Sequence, residues 1–105
     1  MKAKDHIPER IRRFLAVKAS QYPAIERVFV FGSRARADAR ERSDFDLAVV
    51  APGMARAAWS RFALDVEANI PTLCGVDLVL LDDAIAHSMR TRIEEEGVII
   101  YERAA

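Results

Sequence analysis

The stretch VFVFGSRARADARERSDFDLAVV, residues 28–50, contains two apolar runs joined by a polar connection. Residues 28–31 are β-branched or aromatic and stop at Gly32, which is typical of a buried strand. Residues 46–50 form a second run of the same kind. Because residues 33–43 between them are polar and rich in arginine, the stretch predicts two strands whose connection carries the chemistry.

The rest of the chain alternates helical and strand patterns. Apolar residues recur at helical spacing in three segments and run together in two more. These patterns predict helices over residues 7–21, 54–69 and 82–96, and strands over residues 76–81 and 98–101. The expected fold class is α/β (α+β), a small mixed β-sheet backed by helices. We expect one domain, residues 1–105, in which the apolar run GVIIY at residues 97–101 forms an edge open to a partner.

Composition excludes several classes of protein. The formal net charge is zero, whereas a general DNA- or RNA-binding protein carries a basic excess, so no direct nucleic-acid binding is expected. There is no apolar run long enough to span a membrane, and the polar N-terminus does not resemble a signal peptide. The single cysteine, Cys74, excludes an internal disulfide and a cysteine-based zinc site. The expected location is the cytoplasm.

Gly32 and Ser33 come at the end of the first predicted strand. Glycine allows the backbone to approach a ligand closely, and Ser33 adds a hydroxyl group. If a short helix spans residues 34–39, its N-terminus faces the same point and favours phosphate. Taken alone, the pair is also typical of an ordinary turn.

Three aspartates indicate a metal site. Asp44 and Asp46 are two residues apart, so on a strand both carboxylates lie on one face, where their charges repel. A divalent cation removes this conflict, and Mg²⁺ takes one or two carboxylates together with substrate phosphates. Asp77 is the one polar residue of VDLVLL, predicted as a buried strand. If the two strands are neighbours, three carboxylates can hold two Mg²⁺ ions about 3.5–4 Å apart.

The motifs GSRAR, SDFDL and VDLVLL together resemble the nucleotidyltransferases of the DNA polymerase β superfamily. Within it, the chain is most similar to the minimal nucleotidyltransferases (MNT) of prokaryotes, small domains paired with a HEPN-domain protein. The resemblance implies a polymerase-β-like core. It also implies that Asp44 and Asp46 bind both Mg²⁺ ions, and that Asp77 completes the catalytic metal site. One departure is Ala37, where many relatives have glycine. Four residues are implied to bind the nucleotide: Gly32, Ser33, Arg34 and Arg36.

The same resemblance implies an activity and a partner. It implies Mg²⁺-dependent transfer of AMP from ATP to a tyrosine hydroxyl of a HEPN ribonuclease toxin, with this chain as antitoxin. The catalytic core fills the chain, so we expect a partner to supply the acceptor. Two alternatives stay open at this point: an inactive antitoxin that acts by binding, and a transferase for small molecules such as aminoglycosides. The base preference and the identity of the acceptor are not determined by these residues.

Overall fold

The computed structural model describes residues 7–32, 44–81 and 87–104. The predicted helix at residues 34–39 and the predicted start of the third helix lie outside these ranges. Helices and strands follow one another in the predicted order. The elements are α1 (Glu9–Ser20), β1 (Arg27–Phe31), β2 (Phe45–Val50), α2 (Arg56–Asn69), β3 (Val76–Leu80), α3 (His87–Glu96) and β4 (Val98–Glu102).

The four strands form one sheet in the order β3-β2-β1-β4. Strand β1 is antiparallel to both β2 and β4, whereas β2 and β3 are parallel. Parallel neighbours require a crossover connection, and α2 provides it between β2 and β3. The mixed sheet predicted from the sequence is confirmed.

The two faces of the sheet are covered by different helices. Helices α1 and α2 cover the first face, where Leu15, Leu47 and Phe62 are fully buried. On the second face Phe29 and Ala48 pack with Ile93 of α3. Because successive side chains of a strand point to opposite faces, β2 is buried on both faces beyond Asp46, which accounts for the apolar run at residues 47–50.

Helices α1 and α2 are joined by specific contacts. The Nζ atom of Lys18 lies 3.2 Å from Oδ1 of Asp65. The rings of Tyr22 and Phe62 meet edge to face, with centroids 5.2 Å apart. Pro8 is the N-cap of α1, a position next to the first turn that tolerates the missing N–H group of proline. Across the described residues, no helix has the length and apolar character needed to cross a membrane.

The strand predicted at residues 76–81 is present as β3, but the prediction that it is buried is wrong. Strand β3 lies at the edge of the sheet, Asp77 is exposed, and the other residues of the strand are only half-buried. Full burial is reached only at Leu81, which contacts the α3 face. The other edge is β4, where Ile99 is 46% exposed, so the edge position expected for GVIIY is confirmed.

Candidate functional site

Strands β2 and β3 bring Asp46 and Asp77 side by side. The two residues are register partners in the parallel pair, and on its other side Asp46 is paired with Phe31 of β1. Neighbouring strands lie about 4.8 Å apart, and register partners point to the same face. Asp46 alternates with Leu47 of the first face, so both aspartates belong to the face that α3 partly covers. The two strands are therefore neighbours, as the sequence-based argument required.

Asp44 lies immediately before β2 and is held from the α2–β3 loop. Its Oδ1 atom accepts a hydrogen bond of 3.1 Å from the backbone N–H of Gly75. One residue further on, the N–H of Phe45 donates to the carbonyl oxygen of Gly75 at 2.9 Å. Asp44 itself is exposed. The start of β2 and the carboxylate before it thus share one contact residue, which the sequence analysis did not identify.

Gly32 ends β1 directly against the carboxylate of Asp46. Its φ angle is +74°, a left-handed conformation that residues with a side chain rarely adopt. A Cβ atom at this position would lie 2.5 Å from Oδ2 of Asp46, closer than real contacts allow. The sequence suggested that glycine leaves room for a ligand. The structure adds a second reason, because the backbone of Gly32 borders the carboxylate of Asp46.

The chemistry of this acidic group fits a hard divalent cation. Carboxylate oxygens are the ligands that Mg²⁺ prefers, and Asp46 and Asp77 present them from neighbouring strands. As they stand, no three acidic, histidine or cysteine side chains of the described ranges are close enough to hold one ion together. Asp77 is exposed, so its side chain can change rotamer toward the other two acids without moving core atoms. We therefore name Asp44, Asp46 and Asp77 as the residues that would hold Mg²⁺.

The remaining predicted nucleotide-binding residues, Ser33, Arg34 and Arg36, lie outside the described residues. Their roles stay predictions. What the structure describes is the point from which their segment leaves the sheet, since Gly32 is the last described residue before it. That point is next to Asp46, so the predicted phosphate loop starts beside the predicted metal ligands.

A groove of about 670 Å³ lies between the start of α1 and the α2–β3 loop, on the opposite side of β2 from the acids. Phe45, whose side chain belongs to the first face, lines it together with Ile11 and Cys74. None of its described lining residues is acidic. The groove therefore offers no carboxylate ligand for a cation. The candidate site remains the group formed by Asp44, Asp46 and Asp77.

Solved structures with the same fold include toxin–antitoxin proteins. A chain of the toxin–antitoxin MntA-HpeT, with two aspartates two positions apart changed to glutamate, is 17% identical at a TM-score of 0.68 over 88% of this chain and 73% of that one. A toxin–antitoxin structure with AMP-PNP gives 18% and 0.67, over 91% and 75% of the two chains. A candidate nucleotidyltransferase from Sulfolobus solfataricus gives 22% and 0.62, over 96% and 85%. At these identities the likeness shows a shared fold.

Residues 15–105 match the family described as polymerase beta, nucleotidyltransferase. The match includes all four strands and every candidate site residue. The chain therefore belongs to the polymerase β nucleotidyltransferase family. No curated protein sequence matches it.

Proposed function

We propose that the chain is a Mg²⁺-dependent nucleotidyltransferase that transfers AMP from ATP to a hydroxyl group of a partner protein. The observation that carries this proposal is that Asp46 and Asp77 lie side by side on parallel strands, with Asp44 immediately before β2. Such a pair of strands gives a divalent cation oxygen ligands from two directions. In a member of this family, that arrangement favours phosphoryl-group chemistry beside these three aspartates.

Each group in the proposed site has a physical task. Gly32 leaves the backbone open beside Asp46, so a triphosphate can approach without meeting a side chain. Ser33, Arg34 and Arg36 would bind that triphosphate through hydroxyl and guanidinium hydrogen bonds. Bound Mg²⁺ would offset the carboxylate charges and stabilise the charge that develops on the phosphate oxygens.

The proposed reaction is a displacement at the α-phosphorus. The acceptor hydroxyl oxygen forms a bond to the α-phosphorus and releases its proton to solvent. The bond from that phosphorus to the bridging oxygen of the β-phosphate breaks, and pyrophosphate leaves. Asp44, Asp46 and Asp77 would hold the metal and so orient the phosphates, which is a contribution of position rather than of covalent chemistry.

The proposal of ATP and a protein acceptor is supported by the structural relatives. One of them is a toxin–antitoxin structure with AMP-PNP, a compound built like ATP. Another carries changes at two aspartates separated by one residue, the spacing of Asp44 and Asp46 here. Together with the MNT resemblance, these relatives favour a HEPN-domain toxin as the partner and a tyrosine of that toxin as the acceptor.

The test combines the purified chain, the protein encoded by the neighbouring gene, Mg²⁺ and ATP labelled at the α-phosphate. We expect label on the partner, and we expect Asp46→Asn and Asp77→Asn each to reduce labelling by about 100-fold or more, since misplaced phosphates lose the benefit of orientation. Glu67→Gln is the matched control, because Glu67 is an exposed acid on α2 and lies outside the proposed site. Labelling that survives both aspartate substitutions contradicts the assigned mechanism.

Calorimetry separates this proposal from an antitoxin that acts only by binding. The wild-type chain should bind Mg²⁺ and AMP-PNP together, and Asp46→Asn should abolish the Mg²⁺-dependent binding of AMP-PNP. A chain that binds its partner but no Mg²⁺–nucleotide would be the inactive form of antitoxin. Transfer of label to a small molecule instead of the partner would favour the aminoglycoside-type alternative.

A further inference from the structure

Gly75 makes two backbone contacts to the start of β2. Its N–H donates to Oδ1 of Asp44 at 3.1 Å, and its carbonyl oxygen accepts the N–H of Phe45 at 2.9 Å. Two residues further along each strand, Asp46 and Asp77 are register partners. Gly75 therefore sets the position of the Asp44 carboxylate relative to the same parallel pair that carries the other two acids.

The reason for glycine at this position is space. Gly75 does not have a positive φ angle, unlike Gly32 and Gly53, so its backbone conformation is open to other residues. A Cβ atom would nevertheless lie 2.6 Å from Oδ1 and 3.0 Å from Cγ of Asp44. Since Asp44 is exposed, its carboxylate rather than the backbone would give way. A side chain at position 75 would thus break the hydrogen bond and turn Asp44 away.

We propose that Gly75 is a positioning residue for the metal site, an inference that rests on the function proposed above. Its N–H occupies one oxygen of the Asp44 carboxylate and so determines the direction in which the second oxygen is presented. Hydrogen bonds of this kind to ligating groups typically change metal affinity by about 10- to 100-fold. Gly75 would act entirely through Asp44 and would touch neither metal nor nucleotide.

The first test measures Mn²⁺ binding in the presence of AMP-PNP by electron paramagnetic resonance. We expect Gly75→Ala to raise the Mn²⁺ concentration at half-saturation by about 10- to 100-fold. Leu73→Ala is the matched control in the same loop, because the Leu73 side chain is fully exposed, and it should bind as the wild type does. Wild-type Mn²⁺ affinity in a folded Gly75→Ala chain would overturn the proposal.

A second measurement leaves the loop unchanged and so does not depend on how Gly75→Ala folds. In the nuclear magnetic resonance spectrum, the Gly75 amide proton should move upfield in Asp44→Ala, because its charged acceptor is lost. In the wild type the same resonance should shift when Mg²⁺ and AMP-PNP are added. An amide resonance that is indifferent to Asp44→Ala contradicts the proposal.

The outcomes separate the two levels of inference. A wild-type chain that binds neither Mn²⁺ nor Mg²⁺ with AMP-PNP would refute the proposed function and this inference with it. A wild-type chain that binds both, together with an unaffected Gly75→Ala variant, would refute the role of Gly75 alone. Loss of binding in Leu73→Ala as large as that in Gly75→Ala would show a general effect of the loop, which also refutes it.

Discussion

Gly32 and Gly53 form a natural pair for measuring what the contact with Asp46 contributes. Both have a φ angle of +74°, so alanine at either position costs about 1–2 kcal/mol of left-handed strain. For a domain of this size, each kcal/mol lowers the melting temperature by roughly 4–8 °C. The surroundings differ, because a Cβ atom at Gly53 meets nothing within 4 Å, whereas at Gly32 it lies 2.5 Å from Oδ2 of Asp46.

The two substitutions should therefore separate stability from transfer. Ordinary contact begins at 3.4 Å, so alanine at position 32 forces the Asp46 carboxylate to move by about 0.9 Å. A misplacement of about 1 Å in a positioning group can cost about 100-fold in rate. We expect Gly32→Ala to lower the rate of AMP transfer by about 100-fold. Gly53→Ala should lower the free energy of unfolding by an amount similar to that in Gly32→Ala, and it should keep the wild-type rate of transfer.

The assay has two parts for each variant. Urea denaturation gives the free energy of unfolding, and single-turnover labelling of the partner gives the rate at a temperature well below both melting transitions. Equal transfer rates in the two variants would refute the argument that the Asp46 contact is the functional reason for Gly32. An undiminished free energy of unfolding in Gly53→Ala would refute the assumption of equal backbone strain.

Two further predictions concern the layer of helices that covers the first face of the sheet. Phe62→Ala should lower the free energy of unfolding by about 3–5 kcal/mol, because the ring is fully buried and packs edge to face with Tyr22. A loss below about 1 kcal/mol in urea denaturation would contradict this packing. A double-mutant cycle on Lys18 and Asp65 should give a coupling energy of about 0.2–1 kcal/mol, because the ion pair is partly exposed to solvent. Labelling of the partner should be unchanged, and reduced labelling would contradict a purely structural role for this pair.

The order of helices and strands followed directly from local patterns, but the burial of β3 did not. The run VDLVLL is typical of a buried strand because, apart from Asp77, its residues are apolar on both faces. Burial also requires a neighbouring strand on each side, and β3 has β2 on one side within the described part of the sheet. No residue of the run distinguishes an edge from a centre, so its position depends on how α2 returns the chain to the sheet.

The candidate site shows the same division between local and distant information. Asp44, Asp46 and Asp77 are conspicuous by residue type, since each is a charge next to or inside an apolar run. Gly75 has no such signal, because its role arises from a hydrogen bond to a residue 31 positions away. Sequence patterns led to the three acids that we propose as metal ligands. They could not identify the backbone N–H that orients one of them.

The exposure of β3 also reduces the electrostatic cost of the three neighbouring carboxylates. Two charges 4 Å apart repel by about 1 kcal/mol in water, and by about 4 kcal/mol at the effective dielectric typical near a protein surface. Asp44 and Asp77 are exposed and Asp46 is half-buried, so water reduces the repulsion among them. Asp46 lies on the central strand β2 and faces more of this penalty, whereas Asp77 lies on the edge strand β3 and faces less. The edge position of Asp77 therefore lowers the electrostatic cost of placing its carboxylate beside that of Asp46.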